Sequence, residues 1–349
     1  MTATANRQWT LRTGRISLRV HRRTAWVAAA LVVLCLGIVL ASLLSGQYAI
    51  SLPDVFRALG GHGTLQQRYF VNDVRLPRVL VALLVGAALA VSGAIFQSLS
   101  ANPLGSPDIV GFNSGASAGA LVCLVLLRDS SLLGTGIGAV AGGGVVAVLV
   151  YLLAYRGGVS GYRLILVGVG INALLGAGIA YLLSRADLND SLNAQIWLVG
   201  SLNGRGWDQV RLLAVVLVFV LPLAFALSRA LLTLEIGEEP AIALGLAVGR
   251  VRRWAIVVSV VLSAAAIICA GPISFVALAA PQAARRLARS AGPSLVISAL
   301  MGAALLALAD LLAQRLIAGT QLPVGVATLV LGGLYLGWLL AGEVRKGRT

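Results

Sequence analysis

Few residues in this 349-residue chain are of types that carry chemistry, and their spacing excludes more reactions than it permits. A nucleotide-hydrolysing P-loop needs a lysine that follows a glycine and precedes Ser or Thr. The only lysine, Lys346, is followed by Gly347, so any ATP-driven work must come from a partner. Gly168, Gly170 and Ala173 match a G-x-G-x-x-A pattern, but a dinucleotide site needs a strand before it and a soluble helix after it. Here the pattern lies within an apolar run, where spaced glycines serve helix packing. His21 and His62 stand far apart and no carboxylates cluster at ligand spacing, so no metal and no cofactor are expected. Cys35, Cys123 and Cys269 fall in apolar runs and offer no CxxC site or disulfide framework. No Ser/His, His/Glu or paired-acid constellation supports an enzyme. Asp310, an acid inside an apolar run, is a functional candidate by default. With Gln314 and Arg315 close by in sequence, a helix–helix hydrogen bond explains it at least as well.

The elements that must position these residues are set by composition. The chain is 59% hydrophobic and 11% charged, with a mean hydropathy of +0.94. A soluble domain would be about a quarter charged, so this is an all-α polytopic membrane protein. The net charge of +15 is almost wholly arginine scattered between apolar runs, and no nucleic-acid partner is expected. Residues 1–23 carry six arginines and no acid, forming a basic arm. The apolar run 24–45 is longer than a signal-peptide core of about 7–15 residues; Arg22-Arg23 as a twin-arginine export signal fits less well than a first span. Further runs of spanning length lie near 77–98, 111–127, 132–155, 162–184, 209–230, 251–270, 272–288, 294–316 and 324–341, giving ten spans in a membrane domain of 24–342, before a tail of 343–349. The least certain break is Gly271-Pro272, which also reads as a kink in one long helix. With the N-terminus inside, 18 basic residues fall inside and 9 outside, which puts both termini in the cytoplasm. This layout places His21 and His62 on opposite sides. Ten spans divide into two sets of five, so an internal repeat must be inverted, an arrangement common in transporters. Ser92-Gly-Ala-Ile-Phe96 faintly echoes Ala270-Gly-Pro-Ile-Ser274.

Glycines recur every four residues at Gly111, Gly115 and Gly119 and at Gly134, Gly138 and Gly142, a spacing that lets another backbone approach one helix face. Three loops stand out. The segment 100–108, between the second and third spans, is polar, twice broken by proline and uncharged apart from Asp108. It reads equally as a turn or as a constriction on a permeation path. The inner segment 228–253 holds Glu235, Glu238 and Glu239, then Pro240, an apolar stretch 241–248 too short to span a bilayer, and Arg250, Arg252 and Arg253. Its acids favour a helix docked into a partner over one resting on lipid headgroups. The outer segment 186–209 carries Trp197 and Trp207, residues common at the membrane interface.

Arg75-Leu-Pro-Arg78, the run 86–97, Asn102-Pro-Leu-Gly105, Gly271-Pro-Ile-Ser-Phe275, the stretch 281–285 and Leu322-Pro-Val-Gly325 together resemble the FecCD family, in order from about residue 30 to 340. These are inner-membrane permeases of ABC importers for ferric siderophores, haem and vitamin B12. The loop 102–108 and Gly200-Ser-Leu-Asn-Gly204 look most like its ferric-enterobactin branch. The resemblance implies a type II ABC importer permease in the bacterial cytoplasmic membrane, carrying a ferric catecholate siderophore. It also implies a second homologous permease as a heterodimer partner, two ATP-binding subunits and an extracytoplasmic siderophore-binding protein, with membrane lipid around the spans. Arg75 and Arg78, joined by Arg315, are expected to meet carboxylates of the binding protein. Asn102 and Leu104, and with them Gly161 and Tyr162, are expected to form the cytoplasmic gate. A coupling helix near 239–249, with Glu239, Pro240, Ala241, Leu244 and Gly245, is expected to seat in the ATPase. One departure stands out: the family's P-H-x-x-R stretch reads Pro281-Gln282-Ala-Ala-Arg285 here, so a titrating role at that position is in doubt. The alternatives are the same machinery for haem, vitamin B12 or another ferric chelate, or an ion-coupled secondary transporter using Asp310.

Overall fold

A computed structural model of the chain describes residues 8–13, 16–46, 48–108, 110–128, 131–154, 161–290, 292–315 and 322–346. The apolar runs fold as helices because a bilayer leaves backbone polar groups no partner other than the helix itself. They are α1 (Arg22–Leu44), α4 (Leu76–Ser100), α5 (Phe112–Leu121, prolonged by a π-helical turn Val122–Leu126), α6 (Leu132–Ala154), α7 (Gly161–Arg185), α9 (Trp207–Leu234), α11 (Val248–Ala270), α12 (Val276–Ala288), α13 (Leu295–Ala313) and α14 (Val324–Lys346). Four shorter helices connect them: α2 (Leu52–Leu59), α3 (Leu65–Arg68), α8 (Leu188–Val199) and α10 (Glu238–Ala243). The only strands among the described residues lie in the basic arm, where Gln8–Thr13 pairs antiparallel with Ile16–His21, with Leu11 in register with Leu18.

A helix stands at each of the ten expected runs, and among the described residues seven are long and apolar enough by length and composition to cross a membrane. Phe112–Leu126 is apolar but shorter, and α12 has only 13 residues, whereas α14 runs for 23. The shortfall at α12 has a local cause. Gly271-Pro272 is a true break: Gly271 takes φ +74, 271–274 carry no helix, and Phe275 is left-handed at φ +69. The faint sequence echo does not survive, since Ser92 to Phe96 lie inside α4 whereas 271–274 lie beyond the end of α11.

α4 and α11 form the centre, each with 78% of its apolar window buried, whereas α7 has 6%. The two central helices are joined where Ser92 Oγ lies 2.6 Å from Ser259 Oγ and 2.8 Å from Ser263 Oγ. α13 lies on α4 where Gly86 meets Gly302 backbone to backbone. The expected glycine faces meet over Gly115 and Gly119 of α5 and Gly138 and Gly142 of α6, with no room for a Cβ, whereas Gly111 faces Gly168 of α7 instead. On the far end, α2 is capped by Ser51, whose Oγ accepts from Asp54 N at 3.4 Å, and α3 opens with a Thr64–Gln67 capping box. A π-helical turn, Tyr69–Arg75, then feeds directly into α4.

Candidate functional site

Two ends of the bundle gather the residues that sequence singles out. At one end, α4 stops at Ala101, which adopts φ +46, and the chain turns through 102–105. Asn102 Oδ1 accepts from Leu104 N at 2.9 Å, an Asx turn that leaves the Leu104 side chain 39% exposed. The turn is held from outside by α12: Gln282 Nε2 donates to the Pro103 carbonyl at 3.2 Å and to Gln97 Oε1 at 2.8 Å. Gln97 Nε2 donates in return to the Leu278 carbonyl at 3.0 Å. The glutamine that departs from the family's histidine is thus a clamp on the expected gate, a job that needs an amide donor and no titration. Gly161 and Tyr162 open α7, and the Tyr162 side chain lies outside the described residues.

The expected coupling helix is shorter than its sequence suggests. α10 ends at Ala243, and Gly245 at φ +81 closes it. Gly245 N donates to Ile242 O at 2.8 Å and Leu246 N to Ala241 O at 3.0 Å, a Schellman-type stop before α11 starts. Glu239, Pro240, Leu244 and Gly245 are exposed, whereas Ala241 is fully buried against its own chain, so its side chain is not part of the outward surface. Instead Ile236, Ile242 and Leu244, at 66%, 57% and 70% exposure, form the apolar face. Arg252 anchors the element through Glu238, with Nη2 2.9 Å from Oε2.

Beside it lies a pairing that sequence reasoning missed. Arg285 Nη2 stands 2.5 Å from Glu235 Oε1 and 3.2 Å from Ser98 Oγ, while Ser98 Oγ is 2.6 Å from the same carboxylate oxygen. The only signal for it was the three-residue spacing of Gln282 and Arg285, which puts both on one helix face.

At the other end, Arg75, Arg78 and Arg315 do come together around the end of α1. Arg75 is buried, donating to the Leu43 carbonyl at 2.6 Å and the Tyr48 carbonyl at 2.5 Å. Arg78 holds Asp310 through both carboxylate oxygens, at 3.0 and 2.8 Å, and Gln314 Nε2 adds a third bond at 2.8 Å. Arg315 is exposed and reaches Ser45 Oγ. Arg75 and Arg78 line an open cavity of about 320 Å³ whose wall also includes Ser42, Ser45, Tyr48 and Asp310. Two of the three guanidiniums are therefore committed inward, and Arg315 is the one presented outward. In the loop after α4, burial pushes the Asp108 carboxyl up to about 7, against hydrogen bonds from Asn113 and the Phe275 backbone.

The helical membrane bundle has the fold of a type II ABC importer permease, a transport component rather than an enzyme. The FecCD transport family profile matches residues 31–342, and the chain belongs to that family. It is 47% identical over 327 residues to the ferric enterobactin transport system permease protein FepG of Escherichia coli (strain K12), covering 94% of this chain and 99% of that protein. It is 37% identical over 333 residues to the achromobactin transport system permease protein CbrC of Dickeya dadantii, covering 94% and 95%. Among solved structures, a metal-chelate type ABC transporter in an inward-facing conformation superposes with a TM-score of 0.77 at 27% identity, covering 91% of this chain and 99% of that one. Permeases of this class work with ATPase subunits and a permease partner.

Proposed function

We propose that this chain is the permease subunit through which a ferric siderophore of the catecholate, enterobactin-like class crosses the bacterial cytoplasmic membrane, with both termini in the cytoplasm. The observation that carries the reading is 47% identity along 94% of the chain to a ferric enterobactin permease. Its partners are a homologous permease in a heterodimer, two ATP-binding subunits and an extracytoplasmic siderophore-binding protein. The apolar face of Ile236, Ile242 and Leu244, with Glu239 beside it, is the docking surface for an ATPase. Asn102 and Leu104 form the cytoplasmic gate together with the start of α7. The binding protein is received at the outer arginine cluster, where Arg315 supplies the accessible charge and Arg75 and Arg78 hold the local backbone and Asp310 in place.

The test is expression with its partner subunits in a bacterium lacking its own ferric-enterobactin permease, followed by uptake of radiolabelled ferric enterobactin. Restored uptake that stops when the ATPase is made catalytically inactive is the expected result. Import of vitamin B12, haem or a different ferric chelate in its place reassigns the cargo. Uptake that persists with the inactive ATPase points to ion-coupled transport instead.

A further inference from the structure

Arg285, paired with Glu235, and Gln282, which clamps the 102–105 turn, both stand on α12, and together they join the root of α10 to that turn. Glu235 caps α9 and lies two residues before Gly237, the φ +128 residue that opens α10. Its carboxylate is held by Arg285 and by Ser98, in the last turn of α4. The adjacent residue Gln97 is held by Gln282, which also grips the Pro103 carbonyl of the gate turn. Gln282 and Arg285 are three residues apart, so one face of one short helix touches both the root of the docking helix and the loop.

The charges are largely withdrawn from water, with Arg285 and Glu235 side chains 24% and 17% exposed. Such a pair adds little over an apolar contact of the same size, yet it is costly to break and strict in geometry. It therefore transmits position better than it adds stability. Arg285 Nε is buried with no hydrogen-bond partner in this arrangement, which leaves one donor of the fork available for a second arrangement of the same elements.

We propose that Gln282 and Arg285 are positioning residues that link ATPase engagement at α10 to the state of the 102–104 gate, with Glu235 and Ser98 as the input and Gln97 and the Pro103 carbonyl as the output. Displacement of α10 moves Glu235, Arg285 follows the carboxylate, and α12 carries Gln282 with it, so the gate turn is pulled or released. The proposal rests on the permease reading above, in which α10 meets the ATPase and 102–104 is the gate.

The experiment uses the whole transporter in proteoliposomes: this chain, its partner permease, the two ATPase subunits and the binding protein. Ferric enterobactin imported per ATP hydrolysed is measured for wild type, Gln282→Leu, Arg285→Met and the exchanged pair Glu235→Arg/Arg285→Glu. Coupling energies of this kind correspond to about a tenfold loss in the transport-to-hydrolysis ratio for each single variant, with much of it recovered in the exchanged pair. Gln282→Leu leaves the ion pair intact and so tests the link even where Arg285→Met fails to assemble. A second readout needs no cargo: amide exchange across 101–105 on binding of a non-hydrolysable ATP analogue to the ATPases. Protection is expected to change in wild type and to stay constant in Gln282→Leu. A ratio equal to wild type, transport and hydrolysis falling in proportion, or an unaltered exchange response in Gln282→Leu each overturns the linkage. A wild-type complex that responds at 101–105 but imports no ferric enterobactin overturns the cargo assignment and leaves the linkage standing.

Discussion

Asp310 shows how one side chain changes meaning when its neighbour is known. Alone in an apolar run it reads as a functional acid, but Arg78 and Gln314 occupy both its oxygens. With the pair only 12% and 5% exposed, removing one partner leaves an uncompensated charge in the bundle. Asp310→Ala is therefore expected to cost about 3–5 kcal/mol, seen as a lower melting temperature in detergent, and Arg78→Met in the same chain to restore most of it. An unchanged melting temperature for Asp310→Ala refutes the pairing. The same geometry bears on charge reversal at Arg75 and Arg78, each changed to Glu. Both changes set a carboxylate against carbonyls or against Asp310, so they probe folding before docking, and Arg315→Glu is the cleaner probe of the binding protein. Asp108 gives a pH signature. Its folded pKa, about 7, lies above the ordinary 3.8, so the folded state keeps a proton that the unfolded chain releases. Stability from this group is present below about pH 4, is lost as pH rises towards 7 and is flat beyond. Melting curves across that window are expected to fall more steeply for wild type than for Asp108→Asn; parallel curves count against the shift.

At the scale of elements, small residues decide which helices lie together. The four-residue glycine spacing predicted close faces on two successive runs, and α5 and α6 press those faces against each other. Gly119→Val forces a side chain into the Gly138 carbonyl and is expected to cost at least about 1–3 kcal/mol by overpacking. Gly176→Val on α7, where nothing stands within 4 Å, is the matched control. Thermal shift of the two purified variants compares them directly, and equal shifts remove packing as the reason for the spacing. Helix ends were legible to within a few residues for most runs, because the length of an apolar run is a local property. α10 was not: its stop depends on Gly245 adopting a left-handed turn, and the apolar residues after it disguised the end.

For the molecule as a whole, the spans are unevenly buried within this chain. α4 and α11 are enclosed, whereas α7 presents an open face where, among the described residues, a Cβ at Gly170, Gly176 or Gly178 would have nothing within 4 Å. Since permeases of this class pair, we expect Gly178→Leu to leave the melting of the isolated chain unchanged while lowering recovery of the permease pair by affinity purification. Full recovery of the pair means that α7 faces lipid instead. The sequence by itself determined membrane residence, the places of most apolar helices, the glycine faces and the need for an outside source of energy. All of these follow from composition and short-range periodicity. The tertiary structure decided which charges meet: Arg78 with Asp310, 232 residues apart, and Arg285 with Glu235, 50 apart. It also turned Gln282 from a departure into a clamp on Pro103. Such pairings depend on which helix ends are brought side by side by packing, and spacing within a single run carries no record of that.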